Sequence, residues 1–341
     1  MTPERFHAVT ERYALLKVAV VGDFCLDRYL EIDPARREVS IETGLEVHNV
    51  VGVRAQPGGA GTIFNNLVAL SVGSIWPVGF CGDDGEGYEL ARALEALPGV
   101  RGDQFLQTDL RRTFTYCKPL VLEPGQPPRE LNRLDSKNWS PTPEPVEEAL
   151  IRSVRELADG VDAIILLDQV DQANTGVVTG RLLSLVGELA RQRPGLLIIA
   201  DSRRGLAGFP PVVFKMNAAE LSALTGMPKD AALAEVQTAA AGLAQRNGRS
   251  VFVTLAERGI VGATADGQVA HVPALPVRGE IDIVGAGDAV TANLTTALAA
   301  GATLREALEL AMTAASIVIH QLGTTGTASV RAMRELLAAR G

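Results

Sequence analysis

The sequence predicts an α/β domain on a doubly wound, mainly parallel sheet, with a small β excursion inserted near its N-terminal part. Three observations predict it. After Pro145, helix-like and strand-like segments alternate at the spacing of βαβ units: "VEEALIRSVRELADG" then "DAIILLD", "VVTGRLLSLVGELARQ" then "LLIIAD", "VVFKMN" into "AAELSALTG", and a further helix into "SVFVTLAERG". These strands are nearly continuous apolar runs, as in a sheet covered on both faces. From Glu31 to Arg54 the pattern changes to short alternating segments, "EIDPARREVSIETGLEVHNVVGVRA", too polar for such a sheet.

The other elements follow in order. "MTPERFHAVTERYALLK" predicts a short amphipathic helix, and "KVAVVGD" (17–23) a buried strand ending in a Gly-Asp turn. "PGGAGTIFNNLVALS" is a glycine turn entering a helix, and "IWPVGFCG" is the next strand. "RTFTYCKPLVLEPGQPPRELNRLD" predicts a second hairpin, its turn marked by Pro-Gly and Pro-Pro. The helix "REALELAMTAASIVIHQL" is core packing. One domain over residues 1–341 is expected, with β segments at about 31–54 and 112–135 inserted.

The chain has 341 residues, 47% of them hydrophobic, enough for a sizeable core. A net charge of −8 argues against nucleic acid or an anionic membrane as the main partner. No run of about 18 apolar residues occurs, and the N-terminus is a poor signal peptide. Cys25, Cys81 and Cys117 are widely spaced with no CxxC, and His7, His48, His271 and His320 form no metal spacing. A cytoplasmic protein is expected.

The chemistry concentrates in "DIVGAGDAVTANLTTALAAG", Asp282 to Gly301. A helix start leaves backbone N–H groups unpaired and attracts anions. Gly285, Ala286 and Gly287 let an anion approach those groups closely, and Asp288 would lie beside it. A carboxylate there can take a proton from a hydroxyl attacking a bound phosphoryl group. It can equally be an acid stabilising a helix start. "MNAAEL" places Asn217 and Glu220 three apart at a helix start, where they read either as a capping pair or as holders of waters around Mg²⁺. Asp23 and Asp27 follow the first strand, where open α/β sheets bind ligands, and suit the hydroxyl groups of a polar substrate as well as they suit a solvated turn. No GxxxxGK[ST] and no GxGxxG is present.

These segments, in this order, resemble the ribokinase-like (PfkB-type) sugar kinases from about Val18 to the C-terminal helix. "PGGAGTIFNN" is similar to the family's Gly-Gly motif, Asn217 and Glu220 to its Asn-x-x-Glu, "DIVGAGD" to its D-T-x-G-A-G-D signature, and "VTLAERG" (253–259) to its strand and turn beside the nucleotide. "LDRYLEI", "RTFTYCKPLV" and "ADSRRGLAGF" resemble the heptose 7-phosphate kinase-like branch. Some enzymes of that branch carry a fused nucleotidyltransferase domain, for which the sequence as given leaves no room. The resemblance implies a ribokinase-like fold whose β excursion is a lid, and ATP-dependent transfer to a hydroxyl of a sugar or sugar phosphate. Asp288 would be the base, and Gly285, Ala286 and Gly287 the anion hole. Asp27, Gly58, Gly59, Thr62 and Asn66 would face the sugar, while Asn217, Glu220, Thr254 and Gly259 would face the nucleotide. Glu220 would hold Mg²⁺ through water, Asp282 would shape a K⁺ site, and the lids of two copies would pair in a homodimer. A lid has a rationale of its own, because water competes as phosphoryl acceptor.

The sequence departs from the family pattern at Thr62, where Asn is usual, at Ile283, where Thr is usual, and at Ala256, where Gly is common. Tyr116 stands where heptose kinases often show Lys, leaving Lys118, Arg133, Arg36 and Arg37 as candidates for a substrate phosphate. A nucleoside kinase is the same-class alternative, though only 4% of residues are aromatic. A non-catalytic sugar or nucleotide sensor, or an assembly subunit, is the alternative of a different class.

Overall fold

The computed structural model describes residues 1–339. In chain order the first part comprises α1 (Pro3–Thr10), β1 (Lys17–Gly22), β2 (Phe24–Ile32), β3 (Glu38–Val39), β4 (Glu46–Val47), β5 (Val50–Gly59), α2 (Ala60–Ala69), β6 (Ser74–Gly82) and α3 (Gly85–Glu95). Next come β7 (Phe105–Thr108), β8 (Thr115–Val121), β9 (Arg129–Glu130), α4 (Glu144–Ala158), β10 (Ala163–Asp168), α5 (Gly180–Gln192), β11 (Leu197–Ser202) and β12 (Val213–Asn217). The chain continues through α6 (Ala218–Thr225), α7 (Leu233–Asn247), β13 (Val251–Thr254), β14 (Ile260–Ala263), β15 (Val269–Val272), α8 (Ala286–Ala299), α9 (Leu304–Val318) and α10 (Val330–Ala338).

The apolar runs are two-sided strands. Along β1, Val18 and Val20 enter one core cluster and Ala19 and Val21 the other; along β10, Ala163, Ile165 and Leu167 face one side and Ile164 and Leu166 the opposite one. Successive side chains of a strand alternate faces, so a strand with no polar face must be covered twice. Helices α2, α8 and α9 cover one face, and α4, α5 and α7 the other. The nine-stranded sheet runs β15-β14-β13-β12-β11-β10-β1-β6-β7, parallel from β7 to β13, with β14 and β15 antiparallel at one edge. The chain leaves β1 towards β6 and later resumes on its other side at β10, so the switch in winding lies between β1 and β10.

The lid is a four-stranded sheet in the order β5-β2-β8-β9, with β3 and β4 as a separate two-stranded ribbon. It is wider than the expected 31–54. Only Asp23 separates β1 from β2, and β5 runs into α2 with no loop between them. In the second segment β8 pairs parallel to β2 and forms a hairpin with β9. Helix α3 and the strands β7, β14 and β15 carry weaker patterns that the sequence reading does not isolate.

Candidate active site

Strands β1, β10, β11, β12 and β13 run parallel, so their carboxyl ends share one edge of the sheet, where β1 passes into the lid and the start of α8 meets Asp201 and Lys215. The first internal bond of α8 runs from Ala289 N–H to the Gly285 carbonyl. Ala286 N–H is taken by the Ile283 carbonyl at 3.2 Å, whereas the N–H groups of Gly285, Gly287 and Asp288 have no backbone acceptor among the described residues. The open donors are therefore those three, whereas the Ala286 N–H, expected among them, is taken up by the turn. Gly285 holds φ +82°, which favours glycine, and a methyl there would meet Thr325 Cβ at 3.4 Å and Thr62 Cγ2 at 3.5 Å.

Asp288 sits in this first turn, and burial raises its carboxyl from 3.8 to about 7; Lys215 opposes the shift, while Asp201 and Asp27 add to it. Lys215 is the residue that the sequence reading missed. It is a lone cation inside the apolar run "VVFKMN", 7% exposed, and its Nζ bonds Asp201 Oδ2 at 2.7 Å. A buried lysine in a central strand needs a partner or a task, and that was the available signal. A methyl on Gly287 would lie 3.2 Å from this Nζ, so the ammonium borders the open N–H groups. Thr291 Oγ1 donates to the same Asp201 oxygen at 3.0 Å, fixing α8 against β11. Burial opposes the Lys215 charge, but Asp201, Asp288 and Glu220 outweigh it and hold the ammonium above its ordinary value.

Asn217 and Glu220 form the capping box at the start of α6. Glu220 N–H donates to Asn217 Oδ1 at 2.9 Å, and the Glu220 carboxylate accepts from Asn217 N–H and Nδ2, both at 2.8 Å. Burial, with help from Asp201, pushes the Glu220 carboxyl up against these bonds. Thr254 is level with Asn217 in the β12–β13 register, so both stand on one edge of the cleft. Gly259 lies behind them at φ +93°, where any side chain would strike the Val272 carbonyl, so its requirement comes from the β14–β15 crossing. Ala256 holds φ +51°, a conformation that favours the glycine common at this position.

On the lid side, Asp27 is 6% exposed and lies 3.8 Å from Lys118 Nζ; burial pushes its carboxyl up against the pull of Lys118 and Arg133. A methyl on Gly58 would come 2.5 Å from Asp27 Oδ2, so this glycine makes room for the carboxylate. Gly59, at φ +58°, packs on the Asp23 carbonyl and carries the chain from lid strand into helix α2. Thr62 is buried, with its methyl against Gly285, and its hydroxyl has no hydrogen bond among the described residues.

Two expectations are corrected here. Asn66 is fully buried and donates to the carbonyls of Thr62 at 3.0 Å and Gly326 at 3.4 Å. It braces α2 and presents no surface to a sugar. Asp23, 4% exposed, accepts from Gln169 N–H at 2.8 Å and Val177 N–H at 2.6 Å, so it anchors the loop after β10. Burial, then the neighbouring Asp168, raises its carboxyl to about 6.

Asp282 lies just ahead of the turn that opens α8. Its oxygens accept from Val284 N–H at 3.0 Å and Gly323 N–H at 3.3 Å, tying the turn to the segment after α9. No cluster of three or more metal-ligating side chains occurs among the described residues. Mg²⁺ bound through waters and phosphates needs no such cage. Asp201, Glu220 and Asp288, three carboxylates, act on the one ammonium of Lys215, and burial raises the Glu220 and Asp288 carboxyls. That unbalanced set of carboxylates suits an added divalent cation.

A mainly parallel sheet with a helix start of open N–H groups at its carboxyl edge, covered by a β-lid, defines the ribokinase-like class of fold. Solved structures of that class align over nearly the whole chain. Ribokinase of Arabidopsis thaliana, complexed with ribose and ATP, superposes with a TM-score of 0.65 at 21% identity, covering 94% of this chain and 98% of that one. Phosphofructokinase-2 of Escherichia coli gives 0.71 at 20% identity with substrates and products bound, over 95% and 99%, and 0.70 at 19% in complex with potassium, over 95% and 98%. Residues 210–331 match the pfkB family carbohydrate kinase description. The bifunctional protein HldE of Hyphomonas neptunium is 32% identical over 99% of this chain and 66% of its own length, and that of Shewanella baltica 31% over 94% and 63%. The chain thus spans about two thirds of the length of these relatives. It belongs to the pfkB family of carbohydrate kinases.

Proposed function

We propose that the protein transfers the γ-phosphate of ATP to a hydroxyl of a sugar or sugar phosphate, with Asp288 as general base. The observation that carries this reading is the juxtaposition at the start of α8. A carboxylate raised to about 7 stands in the same helical turn as the open N–H groups of Gly285 and Gly287, beside the Lys215 ammonium. A base near the working pH is best matched to proton abstraction, and fixed donors stabilise charge on the transferring phosphoryl oxygens. The sugar oxygen bonds to the γ-phosphorus, the bridging P–O bond breaks with its electron pair leaving on ADP, and the hydroxyl proton passes to Asp288. Lys215 and the N–H groups of Gly285, Gly287 and Asp288 hold the γ-phosphate, Asn217 and Thr254 border the nucleotide, and Asp27 orients the sugar. Mg²⁺, reached through water from Glu220, would neutralise phosphate charge; K⁺ beside Asp282 would hold the turn of the anion hole.

A sugar phosphate resembling heptose 7-phosphate is favoured by the ring of cations around Tyr116 and Asp27. Arg133 stacks on the Tyr116 ring at 4.5 Å, Lys137 lies 5.6 Å from it, and Arg203 Nη1 donates to Tyr116 Oη at 3.4 Å. With Lys118 they make four cations against Asp27, Asp135 and Asp171. A phosphate can take over such contacts through charge-assisted bonds.

The test is ADP release with ATP, Mg²⁺ and K⁺ across sugars, sugar phosphates and nucleosides. Turnover with a sugar or its phosphate that collapses in Asp288→Asn supports the proposal. Nucleoside preference would make it a nucleoside kinase, and binding without turnover would make it a sensor.

A further inference from the structure

The lid reaches the catalytic end of the molecule through a side chain that the scheme above does not use. Gln56 of β5 stands opposite Asp27 in the β2–β5 register, so it shares the lid face turned to the cleft. Both ends of its amide are engaged across the cleft. Nε2 donates to Thr325 Oγ1 at 2.8 Å, and Oε1 accepts from Thr324 Oγ1 at 3.2 Å.

Those two threonines are not in an independent loop. Their segment receives Asp282 N–H on the Ile319 carbonyl at 2.8 Å and returns Gly323 N–H to Asp282 Oδ2 at 3.3 Å. Asn66 reaches the Gly326 carbonyl at 3.4 Å from α2. Thr325 is also the wall of the anion hole, since a methyl on Gly285 would meet its Cβ at 3.4 Å and its Cα at 3.5 Å. One amide therefore joins the lid to the residue that packs over Gly285.

We propose that Gln56 is a latch that couples lid closure to the shape of the anion hole. Its hydrogen bonds to Thr324 and Thr325 form only when β5 is down on the cleft. When they form, they press Thr325 against the Gly285 turn, so the phosphoryl-holding N–H groups reach their geometry together with the exclusion of water. Neutral hydrogen bonds at a half-buried position are weak enough to break in each catalytic cycle. Gln56 is thus a positioning residue acting through Thr325. The functional part of this inference rests on the kinase reading, but the coupling itself does not.

The test uses the full chain, with Gln56→Leu, Thr324→Val with Thr325→Val, and the combined variant. Hydrogen exchange without ligands is expected to accelerate in β5 and in residues 319–327 together in both partial variants, and no further in the combination. In turnover, each is expected to lower kcat about tenfold, to leave the sugar KM within about threefold, and to raise sugar-independent ATP hydrolysis relative to sugar phosphorylation. Exchange that changes only in β5, or additive effects in the combination, would overturn the latch. A raised sugar KM in Gln56→Leu alone, with the threonine variant unaltered, would make Gln56 a sugar ligand instead. Wild-type protein that turns over no sugar would remove the kinase reading, and the exchange data would still decide the coupling.

Discussion

Asp288 has to be ionised to accept a proton, in surroundings that favour its neutral form. Burial puts the carboxyl at about 7, so kcat/KM for the sugar is expected to rise with pH through that region and to level off above it. The same group carries a stability signature of defined sign. Its folded value is raised above 3.8, so its contribution is fully present below about pH 4 and is lost as pH rises through about 7. Asp288→Asn is therefore expected to be more stable than wild type at pH 8 by on the order of 2 kcal/mol, with the difference vanishing near pH 4 in denaturant titrations. Lys215→Met keeps the volume and removes the charge beside Gly287, and is expected to lower kcat about a hundredfold and to raise the KM for ATP. Ala256→Gly relieves a left-handed alanine, and thermal unfolding is expected to show about 1 kcal/mol of added stability. Asp288 and the glycines around it were legible in the sequence because their residue types are chemically restrictive. Lys215 was not, because one lysine in an apolar strand looks like an edge position until β11 and β13 are seen on either side.

At the scale of elements, the two-sided strands and the helices between them could be read directly, since periodicity and apolar content are local properties. What sequence alone could not supply is long-range pairing. The parallel pairing of β8 with β2 joins residues about ninety positions apart, and nothing local marks it. Asn66 shows the same limit: helical spacing places an amide near the glycine motif but cannot tell which face is buried, and here the buried face claims it. Asn217 and Glu220 needed no such choice, because the capping box sets the same carboxylate that water-mediated Mg²⁺ binding would use. Replacing Gly58 by Ala places a methyl against Asp27 Oδ2, so this single change is expected to raise the sugar KM at least tenfold while leaving the fold intact by circular dichroism.

At the scale of the whole molecule, apolar exposure concentrates on the lid. Ile41 is 100% exposed, Leu45 69% and Val51 51%, and β5 is the unpaired edge of its sheet. We propose that a second copy of the same lid covers this apolar edge, which is what the family resemblance implies. Sedimentation is expected to show a dimer that Ile41→Lys with Val51→Lys converts to monomer. No helix among the described residues is long and apolar enough to cross a membrane. The central claim, that the start of α8 is a phosphoryl-transfer site with Asp288 as base, is tested most directly by one comparison. The rate of sugar-dependent ADP release would be measured from pH 5 to 9 for wild type and Asp288→Asn, at saturating ATP and Mg²⁺. The wild-type rate is expected to rise through about pH 7, and the variant rate to be at least a thousandfold lower with no such rise. A variant that keeps the wild-type rate and pH dependence would contradict it.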